Sequence, residues 1–412
     1  MYAAQAASSI LIAGDIGGWT TYHTGDEAML AANIDGLRRL HPAVKITAFS
    51  FDPPWTSAHY GVRAIPPIGF WSLPDDDVRR NLWTELERGT ADPGPDAARA
   101  IDAIADADAV IISGAGNLRA AWPPHIYDRA AIINIAKRCA KPVLVLGQTI
   151  GPDLDPPHRE ILSSALSCAD LVGVREADSA ALVRSLGVPE HLILEQLDDA
   201  WFLGLDPGFP APPDPRPASP PRVAITFSSF DRWTTDETSL RAIAAELNVI
   251  ACETRADLYF LPHWMERPGY RADSAAARAI IDLLDESARA VLLPVLEAKD
   301  CCKATREASL VISSRYHPVV FGLSGAVPCV AIYSDDYTRI RLQGALRHAG
   351  MEEYSISFES CPGGGLARHV LGAWRDRTFI KQQLLGRFHA WASAENAKWS
   401  RVARLLGWTA PV

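Results

Sequence analysis

Short apolar runs recur along this chain, each followed by a segment with apolar residues at helical spacing, and the pattern runs through the chain twice. In the first half, Ile10 to Ala13, Val44 to Phe49, Ala109 to Ser113 and Val143 to Gly147 read as buried strands. Gly25 to Leu40, Asp96 to Ala105, Tyr127 to Cys139 and Pro157 to Ala169 read as the helices between them. A chain that alternates this way forms a parallel sheet covered on both faces, because every crossover places a helix against one face. From Asp206 to Pro221 the sequence is dominated by prolines, which donate nothing to a sheet ladder and favour extended backbone. Beyond it the alternation restarts, with Val223 to Phe227, Ala256 to Leu261, Ala290 to Leu293, Leu310 to Ser313 and Val327 to Tyr333 as strands.

With 412 residues the chain exceeds what one hydrophobic core usually serves. The expected organisation is an N-terminal α/β domain over 1–205, a linker over 206–221, a C-terminal α/β domain over 222–375, and terminal helices over 376–412 that return toward the first domain. Two such Rossmann-like parallel-sheet domains face a cleft with their strand ends, and a cleft of that kind suits a two-substrate transferase. A net charge of −9 argues against a general nucleic-acid binder. The seven cysteines include no CxxC pair, which points to reduced thiols in a cytoplasmic protein and away from a zinc site or disulfide framework. The apolar run Ala6 to Ala13 lacks a basic leader and reads as a first strand. No uncharged apolar run reaches the roughly 18 residues a membrane span requires, so at most a peripheral association is expected.

Chemistry is expected where strands end. Arg315-Tyr316-His317 follows the run Leu310 to Ser313 at a strand-to-helix junction, where α/β sheets hold ligands. Arg315 offers a planar fork suited to phosphate or carboxylate, and His317 is able to give or take a proton near neutral pH. Local sequence leaves a structural Arg and a helix-start His equally open. Ser113-Gly114-Ala115-Gly116-Asn117 is able to bring backbone N–H groups to an anion, but it lacks the third glycine and the later acidic residue of the dinucleotide fingerprint. Gly147-Gln148-Thr149-Ile150-Gly151-Pro152 reads as a strand-end turn, with Gln148 offering neutral hydrogen bonds. Arg175 stands just past another apolar strand and, taken singly, reads as an ion-pair partner of a nearby carboxylate. Asp198-Asp199 closes the first half with two carboxylates. GKS/GKT loops, HExxH and GxSxG are absent, so ATPase, zincin and serine-hydrolase chemistry lose their usual support. Trp55, Trp71, Trp83 and Trp122 either stack on sugar rings or fill a core, and core is the expectation for most of them.

Taken in order, Thr24-Gly25-Asp26-Glu27, Gly114-Ala115-Gly116, Gly147-Gln148-Thr149-Ile150-Gly151-Pro152, Val174-Arg175-Glu176 with Ser179, Leu186-Gly187-Val188, Asp198-Asp199-Ala200, Ser313-Ser314-Arg315-Tyr316-His317 and Gly325-Ala326-Val327-Pro328 resemble the polysaccharide pyruvyl transferase family. The resemblance spans about residues 14 to 350 and implies a GT-B-like fold. It also implies phosphoenolpyruvate (PEP) as co-substrate, no cofactor or metal, and a saccharide or lipid-linked saccharide as acceptor, joined as a pyruvate ketal. Arg315 and His317 match the family's active-site pair, and Arg175 its other arginine on the PEP side. Ser313, Ser314, Gly114, Gly116, Asn117, Gln148, Asp26, Glu27 and Arg339 are the further substrate-binding candidates. Asp26, Glu27 and Asp199 are the candidates for the base. Tyr316, Pro318 and Ala115 depart from the family pattern. The rival readings are a GT-B glycosyltransferase or other sugar-nucleotide enzyme, and a saccharide-binding protein of the same fold without activity.

Overall fold

A computed structural model describes residues 6–89, 94–206, 208, 220–265 and 271–409. It divides into two compact units. The first holds the described residues up to Trp19, then Met29–Asp199, and those from Ala394 onward; the second holds Thr20–Ala28 and Ala200–Ser393. Most of the proline-rich stretch lies outside the described residues.

The first unit is built on strands β1 (Ser9–Ala13), β2 (Lys45–Phe49), β3 (Arg63–Ile65), β4 (Ala109–Ile112), β5 (Ala115–Leu118), β6 (Val143–Ile150), β7 (Leu171–Val174) and β8 (Ile193–Glu195). Every pairing is parallel, in the order β3-β2-β1-β4-β6-β7-β8, with β5 set beside β6. Alternate residues enter two cores, as a strand period of two requires. Leu11, Ala13, Val110 and Ile112 pack toward the helices Gly94–Asp106, Pro123–Arg138 and Pro156–Cys168. Ile10, Ile12, Ala109 and Ile111 share the other core with Ile34 and Leu37 of helix Thr24–Leu40 and with Trp399, Val402 and Leu406 near the C-terminus.

The second unit repeats the plan with β9 (Arg222–Thr226), β10 (Asp257–Phe260), β11 (Ala290–Leu292), β12 (Leu310–Ser313), β13 (Cys329–Tyr333) and β14 (Ser355–Ser357). Its order is β11-β10-β9-β12-β13-β14, again parallel throughout. Strand order therefore reverses between β1 and β4 in the first unit and between β9 and β12 in the second. Those are the points at which the carboxyl ends of a doubly wound sheet open a crevice.

Two expected loops are strands. Gly147 adopts φ +53° and the chain resumes its ladder, so Gln148 and Thr149 lie inside β6, and Gly151-Pro152 (a cis peptide) ends it. Ala115-Gly116-Asn117-Leu118 is β5. Hydrophobic periodicity missed β5 because its residues are small or polar; its pairing with β6 makes it a strand. The four tryptophans are each half-buried, not sealed in a core.

Close helix packing predicts a stability effect at Gly36, where an added Cβ would lie 2.0 Å from a ring carbon of buried Trp399. Alanine gains about 1 kcal/mol of helix propensity. Displacing the indole costs about 1–3 kcal/mol. Gly36→Ala is therefore expected to unfold at lower urea than the wild type, with an unchanged m-value.

Candidate functional site

At the switch point of the second unit, the ends of β9 and β12 are stitched together before any ligand is considered. Ser313 Oγ reaches Thr226 O at 3.1 Å, and Ser314 Oγ accepts from Ser228 N at 2.9 Å. Both hydroxyls, expected to contact substrate, are engaged in holding the two strand ends. Arg315 then caps the helix Tyr316–Ser324 in extended conformation, which directs its side chain away from the helix axis.

Asp273 fixes that side chain. Its Oδ1 accepts from Arg315 Nη2 at 2.6 Å and Ser229 N at 2.9 Å; its Oδ2 accepts from Arg315 Nε and His263 N, each at 3.1 Å. Burial alone would raise Asp273, but the Arg315 charge and these donors outweigh it and hold the carboxyl below its usual range. The guanidinium also lies over the rings of Phe230, at 5.2 Å, and Trp264, at 5.7 Å. Its Nη1 makes no hydrogen bond among the described residues, and the side chain is 12% exposed. One edge of the fork is thus without a partner among the described residues.

His317 lies in the first turn of the helix Tyr316–Ser324 and is 3% exposed. Helix Thr24–Leu40 begins against it: a Cβ on Gly25 would fall 1.9 Å from His317 Nδ1, so only glycine permits this approach. The neighbouring His23 ring is 6.4 Å from that of His317 and pairs through Nδ1 with Asp26 at 2.6 Å. Backbone bonds pin this segment, Thr24 N donating to His263 O and Met265 N to Tyr22 O. The two stretches Thr24 to Glu27 and Ser313 to His317 therefore meet in space. Asp26 is engaged by His23. Glu27 is fully buried, and its charge adds to the burial that pushes the Tyr22 phenol upward. Burial lowers His263 to about 3, so this imidazole stays neutral, with Nε2 3.1 Å from Cys301 Sγ. Arg339 holds Asp336 and Gln343 on its own helix.

The candidates in the first unit are engaged by groups of the chain itself. Gly114 N donates to Asp199 Oδ2 at 3.1 Å, and a Cβ on Gly114 or Gly147 would come within 2.9 or 2.8 Å of that carboxylate. The glycines make room for the chain's own Asp199 rather than for a ligand's anion. Asn33 and Gln196 also donate to Asp199, and Lys398 stands 3.6 Å away. Burial would lower Lys398, but Glu395 and Asp199 outweigh it and keep it charged. This arrangement leaves Asp199 fully occupied rather than available as a base. Gln148 donates to Ser113 O and Leu146 O. Arg175 is 1% exposed and donates to Thr149, Glu176 and Asp198. Arg175 therefore lies inside a buried ion cluster. Gly116 is half-buried in β5, and Asn117 keeps Oδ1 without a hydrogen bond among the described residues. No group of three or more His, Cys, Asp or Glu among the described residues is placed to hold a metal ion.

The family model for polysaccharide pyruvyl transferase matches residues 23–336, from His23 beside the buried imidazole to just past β13. The chain belongs to that family. Polysaccharide pyruvyl transferases are transferases that modify saccharides, and Arg339 falls outside the matched range. No curated protein sequence matches the chain significantly. Among solved structures, the S. aureus MnaA-UDP complex is similar at 10% identity, covering 97% of each chain with a TM-score of 0.60. The UDP-GlcNAc 2-epimerase from Neisseria meningitidis bound to UDP-GlcNAc matches at 11% identity over 96% of this chain and 100% of that one, TM-score 0.59. Anabaena Alr3699/HepE in complex with UDP and glucose matches at 14% identity over 97% and 99%, TM-score 0.57. At these identities the likeness establishes the GT-B-like fold of this pyruvyl transferase family member.

Sequence reasoning missed His23, Asp231, His263 and Asp273. Asp231 had a signal, since it closes Ser228-Ser229-Phe230-Asp231 just past a strand. Asp273 had none: it meets Arg315 across 42 residues of chain. Asp273→Asn is expected to lose about 3–5 kcal/mol of stability, because it leaves a buried guanidinium without its counter-charge. Urea unfolding measures this.

Proposed function

We propose that the protein transfers the enolpyruvyl carbons of PEP to two hydroxyls of a saccharide or lipid-linked saccharide, forming a pyruvate ketal and releasing phosphate. The observation that carries this reading is the open edge of the Arg315 fork beside a buried imidazole, at the switch point of the C-terminal sheet. Family membership supports the reaction class.

Arg315 Nη1 binds the donor anion through charge-assisted hydrogen bonds while Asp273 holds the opposite edge of the fork. His317 delivers a proton to the PEP methylene carbon. C2 then carries the positive charge, and an acceptor hydroxyl adds to it with loss of its own proton. A second hydroxyl displaces phosphate at C2, its proton leaving with the phosphate, and closes the ketal. Gly25 and His23 hold the imidazole in register for the first step. A positioned acid contributes about 10²- to 10⁴-fold in rate. Arg175, engaged by Asp198 and Glu176, is assigned to bracing the ends of β6 and β7.

His317→Ala is expected to retain PEP binding and lose at least about 10²-fold in turnover, read as phosphate release in the presence of a glycan panel. Near-normal turnover of that variant would remove His317 as the acid. Arg315→Lys keeps the charge but loses the planar fork, and is expected to weaken PEP binding about tenfold or more by calorimetry. Thermal stabilisation by UDP-sugars but not by PEP would favour the sugar-nucleotide reading instead.

A further inference from the structure

Arg315 is not alone at the switch point. Asp231 ends the loop that leaves β9, is 7% exposed, and starts a short 3-10 turn, Arg232–Thr235, without using its side chain to cap it. An aspartate at such a position ordinarily accepts from the backbone of the turn it begins. Here the carboxyl is directed elsewhere: the Ser314 hydroxyl bonds to it, Oδ1 takes a long contact from Ser334 Oγ at 3.4 Å, and Oδ2 makes no hydrogen bond among the described residues. The preceding residue, Phe230, is the one whose ring lies 5.2 Å from the Arg315 guanidinium, and Ser228 of the same loop is bonded to Ser314. Arg315 does not neutralise Asp231, because two donors of its fork are taken by Asp273.

We infer that Asp231 is a protonated donor to the phosphate of the ligand held by Arg315, so that the second unit binds a phosphate monoester through one guanidinium and one neutral carboxylic acid. This rests on the donor reading above and adds a residue and a pH dependence to it. The groups around the carboxyl all bear on its proton. Burial raises Asp231 most; Ser314 and Arg315 lower it; Asp273 and Asp335 raise it, and the outcome is about 7. An arriving phosphate adds negative charge and raises it further, so binding draws a proton onto Asp231 rather than expelling one. An ionised carboxylate with an unused oxygen would repel the ligand, whereas the acid form supplies the donor that Oδ2 lacks a partner for.

The sign of the pH effect follows. Above about 7 the free protein must take up a proton to bind, so affinity falls toward tenfold per pH unit. Asn carries an N–H donor in the same place and does not titrate. PEP affinity is therefore measured by calorimetry between about pH 6 and about pH 9, for wild type and Asp231→Asn. Wild-type affinity is expected to fall above about 7, and the variant to lose one proton from that slope, binding about a hundredfold more tightly than wild type near pH 9. Proton uptake on binding, read from wild type alone in two buffers of different ionisation enthalpy near pH 8, is expected to approach one proton and does not depend on the variant folding. PEP binding with the same slope in both proteins, or with no proton uptake by wild type, overturns the inference and leaves the donor reading standing. Failure of PEP to bind at any pH overturns the donor reading and this inference with it.

Discussion

A single buried carboxylate organises the second unit's crevice. Asp273 accepts four hydrogen bonds, two from the Arg315 fork and one each from the backbone of Ser229 and His263. Those donors come from the segments that follow β12, β9 and β10. Desolvating two charges costs several kcal/mol per ion, and only saturated hydrogen bonding recovers it. Here both oxygens are saturated, so the pair holds three strand-end segments in one geometry. The open edge of Arg315, the position of Phe230 beside it and the loop that carries Asp231 all follow from that constraint.

The first unit uses the same device for a different end. Asp199 is buried at the ends of β4 and β6, accepts from Gly114, Asn33 and Gln196, and has Lys398 as its counter-charge. Two motif glycines exist to admit it. Each switch point therefore carries an internal carboxylate, but one is closed over by its own chain and the other leaves part of its cation exposed. That asymmetry is why the proposed chemistry is placed at the second unit.

Much of the architecture was legible in the order of residues. Fully buried parallel strands read as continuous apolar runs, so β1, β4, β9 and β12 stood out, as did the helices Thr24–Leu40, Gly94–Asp106, Pro123–Arg138 and Pro156–Cys168 of the first half. β5 escaped because Ala115-Gly116-Asn117-Leu118 has no strand signature of its own; its pairing with β6 decides it. Gln148 was misread as part of a turn because a glycine normally ends a strand, whereas the positive φ at Gly147 lets this one continue. Within the site, Arg315 and His317 were readable as candidates at a strand-to-helix junction. Their company was not.

What the sequence determined by itself is the pair of doubly wound sheets, the family, and the chemical types at Arg315 and His317, since these depend on periodicity and on motifs contiguous in the chain. What only the tertiary structure decided is which groups are available. Arg175 and Arg315 have the same side chain just past a strand, yet one is sealed among Thr149, Glu176 and Asp198 and the other keeps an edge without a partner among the described residues. Gly25 is informative only because His317, nearly three hundred residues later, packs against its missing side chain. Burial and partner geometry arise from contacts between distant segments, and those contacts decide whether an arginine is enclosed by its own chain or keeps donors unused.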